Sequence, residues 1–262
     1  MESTDYEYRG LMATYWDLLR GDTSHWADRF FYKDMILVSG EPVMDVGCGT
    51  GRLLLDYLAE GIDIDGVDNS PEMLAICREK AGQRGLNPAL YLQEMVSLDL
   101  PRKYRTILVP SSSFQLLVEP DAAEAALKRF FDHLEPGGML VMSLMILWTG
   151  PAEEEIVRED WSVVAEKARP EDGALVRRWA RSTYDLRQQL EHTEDRYELV
   201  KNGEVVASED HARSPATRWY TQEQAIALYK RAGFTGVRLN KEFTHEPASP
   251  EVTLFTIRGI RP

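Results

Sequence analysis

The stretch Val43-Met44-Asp45-Val46-Gly47-Cys48-Gly49-Thr50-Gly51-Arg52 constrains this chain more than any other. A short run of buried-strand character leads into a turn with glycines at alternate positions, and the apolar segment Leu53 to Leu58 then begins a helix. Glycines so spaced let the backbone turn sharply and bring a ligand against bare peptide N–H groups. Strand, tight turn and helix in that order open an α/β sheet that binds its ligand outside the carboxyl ends of its strands.

The rhythm continues. From Pro42 to Ile146 short apolar runs predict strands at Val43–Val46, Ile62–Val67, Ala89–Leu92, Arg105–Val109 and Met139–Met145. Helical patterns fall between them, at Arg52–Ala59, Pro71–Gln83 and Asp121–His133. Ser70-Pro71 supplies an N-cap with proline in the first turn, and Asp121 with Glu124 reads as a capping box. Pro136-Gly137-Gly138 predicts a turn before the fifth strand. Alternation of this kind means a mostly parallel sheet covered by helices on both faces.

Residues 1–40 are helical in pattern and rich in aromatics, from Tyr6, Tyr8, Tyr15 and Trp16 to Trp26, Phe30, Phe31 and Tyr32, which predicts a helical lid ahead of a core at 41–148. Asp22-Thr23-Ser24 offers an N-cap for the second helix of that lid. Beyond Trp148 the pattern changes. Residues 151–168 are charged and read as helical, and Leu175 to Tyr220 alternates as strands do, with Asn202-Gly203 as a two-residue hairpin turn. An antiparallel insertion is therefore expected at 149–220, after the fifth strand. Residues 221–262 return to the core: Thr221 to Gln224 cap a last helix, Gly233 ends it, and Val237–Asn240 with Val252–Arg258 close the sheet.

Composition narrows the partners. A net charge of −13, most of it in residues 1–150, repels phosphate backbones, so no nucleic acid is expected. The run Arg177, Arg178, Arg181 and Arg187 reads as a solvated strand face. Cys48 and Cys77 make neither a disulfide framework nor a zinc site, and the five histidines lack metal-ligand spacing. The first residues lack the basic and apolar regions of a signal peptide, and the longest apolar run, near Met139 to Trp148, reads as a buried strand, so a cytoplasmic location without membrane contact is expected.

Three acids follow three successive strands. Asp45 could accept a hydrogen bond from an ammonium group, directly or through a water, or fix the turn. Asp68 lies 21 residues after Gly47, where a carboxylate can take both hydroxyls of a ribose. Glu94-Met95 offers an acceptor side chain and a backbone N–H to the edge of an adenine. The dinucleotide fingerprint needs its third glycine one residue later, where Arg52 stands.

Asp-Val-Gly-Cys-Gly-Thr-Gly at 45–51 resembles the first motif of class I S-adenosylmethionine-dependent methyltransferases. Gly66-Val67-Asp68-Asn69-Ser70-Pro71-Glu72-Met73-Leu74 resembles their second motif, and Leu-Glu-Pro-Gly-Gly-Met-Leu at 134–140 the turn into their fifth strand. The resemblance implies a Rossmann-like seven-stranded sheet and S-adenosyl-L-methionine as cofactor. It implies Gly47, Gly49 and Gly51 around the methionine moiety, Asp68 on the ribose, and Asn69 and Glu94 beside the adenine, with Asp45, Cys48, Met73, Met95 and Pro110 completing the contact set. Glu94 stands where many relatives carry aspartate.

The insertion is similar in architecture to that of deoxysugar N,N-dimethyltransferases, in which insertion and N-terminal helices form the substrate chamber. A histidine after the fourth strand in that group is missing from Ser111-Ser112-Ser113-Phe114-Gln115-Leu116. Tyr15, Gln115, His211 and Tyr220 are the candidates for the acceptor side. The expected activity is methyl transfer to an N or O atom of a small molecule, in a chain compatible with a homodimer. A protein or nucleic-acid methyltransferase, or a non-catalytic nucleotide-binding protein of the same fold, is the alternative.

Overall fold

The computed structural model describes residues 7–150 and 155–262. They divide into two compact units, one from Ser24–Thr149 with Trp219–Pro262, the other from residues 7–23 with 150 and 155–218.

The first unit is built on seven strands: β1 (Val43–Val46), β2 (Ile64–Asp68), β3 (Ala89–Leu92), β4 (Tyr104–Val109), β5 (Leu134–Met145), β11 (Thr235–Lys241) and β12 (Leu254–Ile260). Their order is β11-β12-β5-β4-β1-β2-β3. β1 lies parallel between β2 and β4, placing Asp45 beside Gly66 and Leu108, while β12 runs antiparallel to both of its neighbours. Reversal of strand order about β1 opens the crevice in which such sheets bind ligands.

Alternate residues of each strand feed two cores. Met44, Val46, Ile107, Val109, Leu140 and Met142 pack with α5 (Pro120–His133) and α6 (Gln222–Arg231) on one face. Val43, Ile64, Leu108 and Val141 pack on the other face with α2 (Ala27–Ser39), α3 (Leu54–Ala59) and α4 (Pro71–Gln83). Burial of such a side chain stabilises by roughly 1.5–3 kcal/mol. Strands covered on both sides read as unbroken apolar runs for this reason.

Local signals set several boundaries. Ser70 caps α4 by accepting from the Met73 amide, with Pro71 in the first turn. Thr221 and Gln224 form a reciprocal capping box on α6. Other expectations need correction. α5 begins at Pro120 behind Glu119, without a side-chain cap, so Asp121 and Glu124 form no capping box. α2 begins behind Trp26 and not at Asp22-Thr23-Ser24. Pro136-Gly137-Gly138 lies inside β5, where the pairing with β4 jumps from Tyr104–Leu134 to Thr106–Met139 and Gly137 takes a positive φ. It is a bulge, absorbed because the strand resumes its pairing beyond it.

The second unit is an antiparallel sheet of β6 (Ile156–Arg158), β7 (Ser162–Ala168), β8 (Leu175–Asp185), β9 (Leu190–Lys201) and β10 (Glu204–Arg218), with α1 (Gly10–Arg20). The helix expected over 151–168 is replaced by strands from Ile156 onward; residues 151–154 lie outside the described residues. Pairing with β8 decides this. Glu166 sits opposite Arg177 and binds its Nε at 2.6 Å, and the β-branched Val163 and Val164 suit a strand. Asn202 and Gly203, both at positive φ, make the expected hairpin turn. Arg178 and Arg181 pair with Asp195 and Glu194 across the sheet.

α1 takes its N-terminal partner from a distant strand. Arg9 gives no capping bond, and the first turn carries no acid. Glu209 of β10 supplies the charge, accepting from the Leu11 amide at 2.7 Å, and Gly10 (φ +55) leaves room for its carboxylate. Capping bond and helix dipole together are worth about 1–2 kcal/mol. Glu209→Ala should therefore speed amide exchange through α1 by roughly five- to thirty-fold; unchanged exchange would show that the carboxylate does not hold the helix.

Among the described residues no helix is long and apolar enough to cross a membrane, and no three His, Cys, Asp or Glu side chains gather as a metal-binding group.

Candidate cofactor site

The glycine turn is closed by its own amides. Gly47 and Cys48 both donate to the Val67 carbonyl, at 2.8 and 3.0 Å, and Gly51 donates to Cys48 O at 2.9 Å. Gly49 donates to Asp68 Oδ2 at 2.8 Å. The expectation of bare N–H groups facing a ligand is thus corrected for these four positions. A pyrophosphate needs a nest of unsatisfied donors. This turn instead offers bare backbone surface, and its glycines serve close approach.

Neighbouring side chains line that surface. A Cβ on Gly47 (φ +70) would stand 2.7 Å from Ser113 Oγ and 3.9 Å from Met95 Cε, and one on Gly49 (φ +53) 3.3 Å from Met73 Cε. Cys48 points elsewhere: its sulfur lies against Gly66 inside the sheet, and burial pushes its pKa well above the ordinary value. Only its backbone belongs to the turn.

Asp68, at the end of β2, binds the turn to α4. Its Oδ2 takes the Gly49 amide and its Oδ1 the Ser70 amide, each at 2.8 Å. Burial raises its pKa, and the hydrogen bonds from Ser70, Gly49 and Asn69 oppose the rise. A carboxylate has about four acceptor positions, so with three amides bound it can still receive a hydroxyl donor. Asn69 and Glu94 are exposed beyond the ends of β2 and β3, Met95 opens a short 3-10 turn behind Glu94, and Pro110 is buried directly after β4.

Asp45, at the end of the strand before the turn, is buried, and its Oδ1 has no hydrogen-bond partner. Burial pushes its pKa up to about 7; Arg52 pulls it down, Asp68 and Asp28 push it up, and a bond from the Leu54 amide lowers it. Because this folded value lies above the ordinary one, Asp45 favours the fold at low pH and loses that contribution as pH rises through about 7. A bound cation would remove the penalty. The orphaned oxygen of Asp45 and the remaining acceptor position of Asp68 fit a nucleoside with a cationic arm.

Comparison with known proteins agrees. The model of a family described as "Methyltransferase domain" matches residues 43–138. Aklanonic acid methyltransferase DauC of Streptomyces sp. (strain C5) is 30% identical over 172 residues, 59% of this chain and 74% of DauC. The chain belongs to the class I S-adenosylmethionine-dependent methyltransferases. A dTDP-3-amino-3,4,6-trideoxy-alpha-D-glucopyranose N,N-dimethyltransferase of Streptomyces venezuelae is 31% identical over 130 residues, 47% of this chain and 52% of that one. DauC apart, the chain spans less than two thirds of the length of these curated relatives. The solved CcbJ methyltransferase of Streptomyces caelestis shares the fold, with TM-score 0.73 at 20% identity over 97% of this chain and 98% of that one.

Within the chain the acceptor-side candidates separate. Gln115 and Tyr220 belong to the unit of the seven-stranded sheet, Tyr15 and His211 to the antiparallel unit. The Gln115 amide is fully buried and clamps Met145, donating to its carbonyl at 2.9 Å and accepting from its amide at 2.7 Å. That is the geometry of a brace on the end of β5. Tyr220 is buried with its ring 6.0 Å from Phe114. The Tyr15 hydroxyl accepts from Arg169 at 3.1 Å. His211 lies edge-on to Tyr197, with Nε2 at 2.9 Å from Glu209 Oε1.

Several residues around the turn escape sequence reading. Ser111 and Ser112 take consecutive positive φ values, a strained path after β4 that delivers Ser113 over Gly47. Asp28, 24 positions before Arg52, receives its guanidinium in a two-pronged bond. A triple serine and one acid in an aromatic helix were the only signals.

Proposed function

We propose that this methyltransferase transfers the methyl group of S-adenosylmethionine to a nitrogen or oxygen atom of a small molecule. One observation carries the donor half of the reading. Two buried carboxylates stand at the ends of β1 and β2, one with an orphaned oxygen, beside a glycine turn whose amides are engaged. That combination suits a ligand with a ribose and an ammonium group and without phosphates. Asp68 receives a ribose hydroxyl and Asp45 the ammonium group. Gly47 and Gly49 allow close approach, with Met73, Met95 and Ser113 as walls, and Asn69 and Glu94 border the adenine.

Bound there, S-adenosylmethionine supplies a methyl group on sulfonium sulfur, open to in-line displacement. The chain's task is to hold nucleophile and methyl in line at about 3 Å and to exclude water. An amine arriving neutral needs no strong base, whereas a hydroxyl gains from one. The acceptor class is supported by two relatives whose names specify small molecules, aklanonic acid and an amino sugar nucleotide.

Calorimetry should detect S-adenosylmethionine and S-adenosylhomocysteine binding one to one, and incubation with amino sugars or hydroxylated aromatic acids should release S-adenosylhomocysteine. Absence of binding to either nucleoside would refute the donor assignment. Turnover on a peptide or polynucleotide in place of every small acceptor would refute the acceptor class.

A further inference from the structure

Arg52 occupies the position of the missing third glycine, yet it does not extend into solvent. Its side chain is 12% exposed and that of Asp28 6%. Arg52 Nη1 donates to Asp28 Oδ1 at 3.0 Å, Nη2 donates to Oδ2, and the guanidinium lies 5.3 Å from the Trp26 ring. Trp26 and Asp28 sit at the start of α2. A buried ion pair is weak evidence for stability, since desolvation offsets most of its Coulomb energy, and α2 already has Phe31, Tyr32, Met35 and Ile36 as anchors. The pair calls for another explanation.

Its electrostatic coupling to Asp45, a buried carboxylate with one oxygen unpartnered, supplies one. The charged and titratable groups acting with Asp45 are Arg52 and Cys48 from the turn, Asp28 and Tyr32 from α2, Asp68 from β2, Tyr57 from α3 and Cys77 from α4. Arg52 favours the anionic carboxylate, while Asp68 and Asp28 oppose it. The guanidinium gives its hydrogen bonds to Asp28, and its effect on Asp45 is that of its charge. Bonded directly to Asp45, it would occupy the oxygen that a ligand needs.

We propose that the Asp28–Arg52 pair is a positioning device for the amino-acid arm of the methyl donor: Asp28 of α2 fixes the buried guanidinium so that its charge favours the anionic form of Asp45 while the orphaned oxygen of that carboxylate stays open to an ammonium group. This rests on the donor assignment above.

The test measures affinity for S-adenosylhomocysteine and for 5′-methylthioadenosine, which lacks the amino-acid arm, between pH 5.5 and 8.5. In the wild-type protein S-adenosylhomocysteine should bind about 30-fold more weakly at pH 5.5 than at 8.5, as expected for an essential carboxylate titrating near 7, and methylthioadenosine should show no such limb. Asp45→Asn should abolish the limb. Arg52→Met should move its midpoint to higher pH, and Arg52→Lys should restore it in part. Asp28→Asn should move it to lower pH, because a guanidinium released from Asp28 can turn onto Asp45, and should weaken S-adenosylhomocysteine even at pH 8.5. These opposite signs are what a purely structural pair would not give. An unmoved limb in Arg52→Met, or an equal loss at every pH as for direct contact with the ligand carboxylate, would overturn the proposal. Loss of methylthioadenosine binding in both variants would also overturn it, since the pair would then hold the whole site together. A wild-type protein that binds neither nucleoside refutes the donor assignment instead.

Discussion

Asp68→Ala should lose at least about 10-fold in affinity for S-adenosylhomocysteine. The carboxylate ties two otherwise separate pieces of backbone, the Gly49 amide of the turn and the Ser70 amide ahead of α4, each at 2.8 Å. Alanine leaves both amides without an acceptor in a site where Asp68 itself is only 9% exposed. Each orphaned donor costs about 1–3 kcal/mol, and each lost charge-assisted bond to a ribose hydroxyl about 1.5–3 kcal/mol. One such ribose bond alone amounts to roughly 1.5–3 kcal/mol, a factor of about 10 to 10² in affinity. Asp68→Asn should recover little, because its amide would present a donor to one of the two backbone donors. Calorimetry decides the matter: binding by Asp68→Ala within threefold of wild type would mean that the ribose lies elsewhere.

Features legible in the sequence are those whose cause is local. β1, β3 and α4 fall at the expected residues. The Ser70 cap, the Thr221–Gln224 box and the Asn202-Gly203 turn each depend on chemistry within about four positions. What the sequence hides depends on partners far along the chain. Pro136-Gly137-Gly138 has the composition of a turn, but pairing with β4 on either side holds it as a bulge. The segment from Ile156 to Ala168 has the charge of a solvated helix, and β8 recruits it as strands.

The site divides in the same way. Asp45 and Asp68 are legible because strand ends and a spacing locate them. Asp28, Ser113 and Glu209 are not, because each acts on a residue brought to it only by the fold: Arg52, Gly47 and the Leu11 amide. The glycine pattern itself misleads in part: it suggests free donors, yet the amides of Gly47, Cys48, Gly49 and Gly51 have partners. A spacing of glycines establishes that side chains are excluded and does not establish what the exposed backbone is for.

The glycines of the turn should accordingly fail in different ways, with Gly51→Ala the most damaging to the fold. Gly51 has φ +83, and a Cβ there would lie 2.6 Å from Cys77 Sγ, 2.8 Å from Leu55 Cγ and 3.0 Å from Leu55 Cδ1. Cys77 and Leu55 are both completely buried, so neither has space into which to retreat. A side chain in the left-handed region costs about 1–2 kcal/mol, and overpacking a filled core about 1–3 kcal/mol. The expected loss is therefore about 2–5 kcal/mol, a large part of the 5–15 kcal/mol typical of a folded protein. Urea unfolding should show it, as should a melting temperature lower by roughly 4–20 °C. Gly49→Ala meets only the flexible end of Met73, at 3.3 Å, so it should keep most of the stability while weakening S-adenosylhomocysteine. The clash with Cys77 can be isolated. Cys77→Ala in the Gly51→Ala background removes the nearest atom and should restore more than 1 kcal/mol relative to its effect in the wild-type protein, a coupling expected only of residues in contact. Equal stability of Gly51→Ala and wild type, or strict additivity of the two substitutions, would show that α4 does not pack against the turn as described.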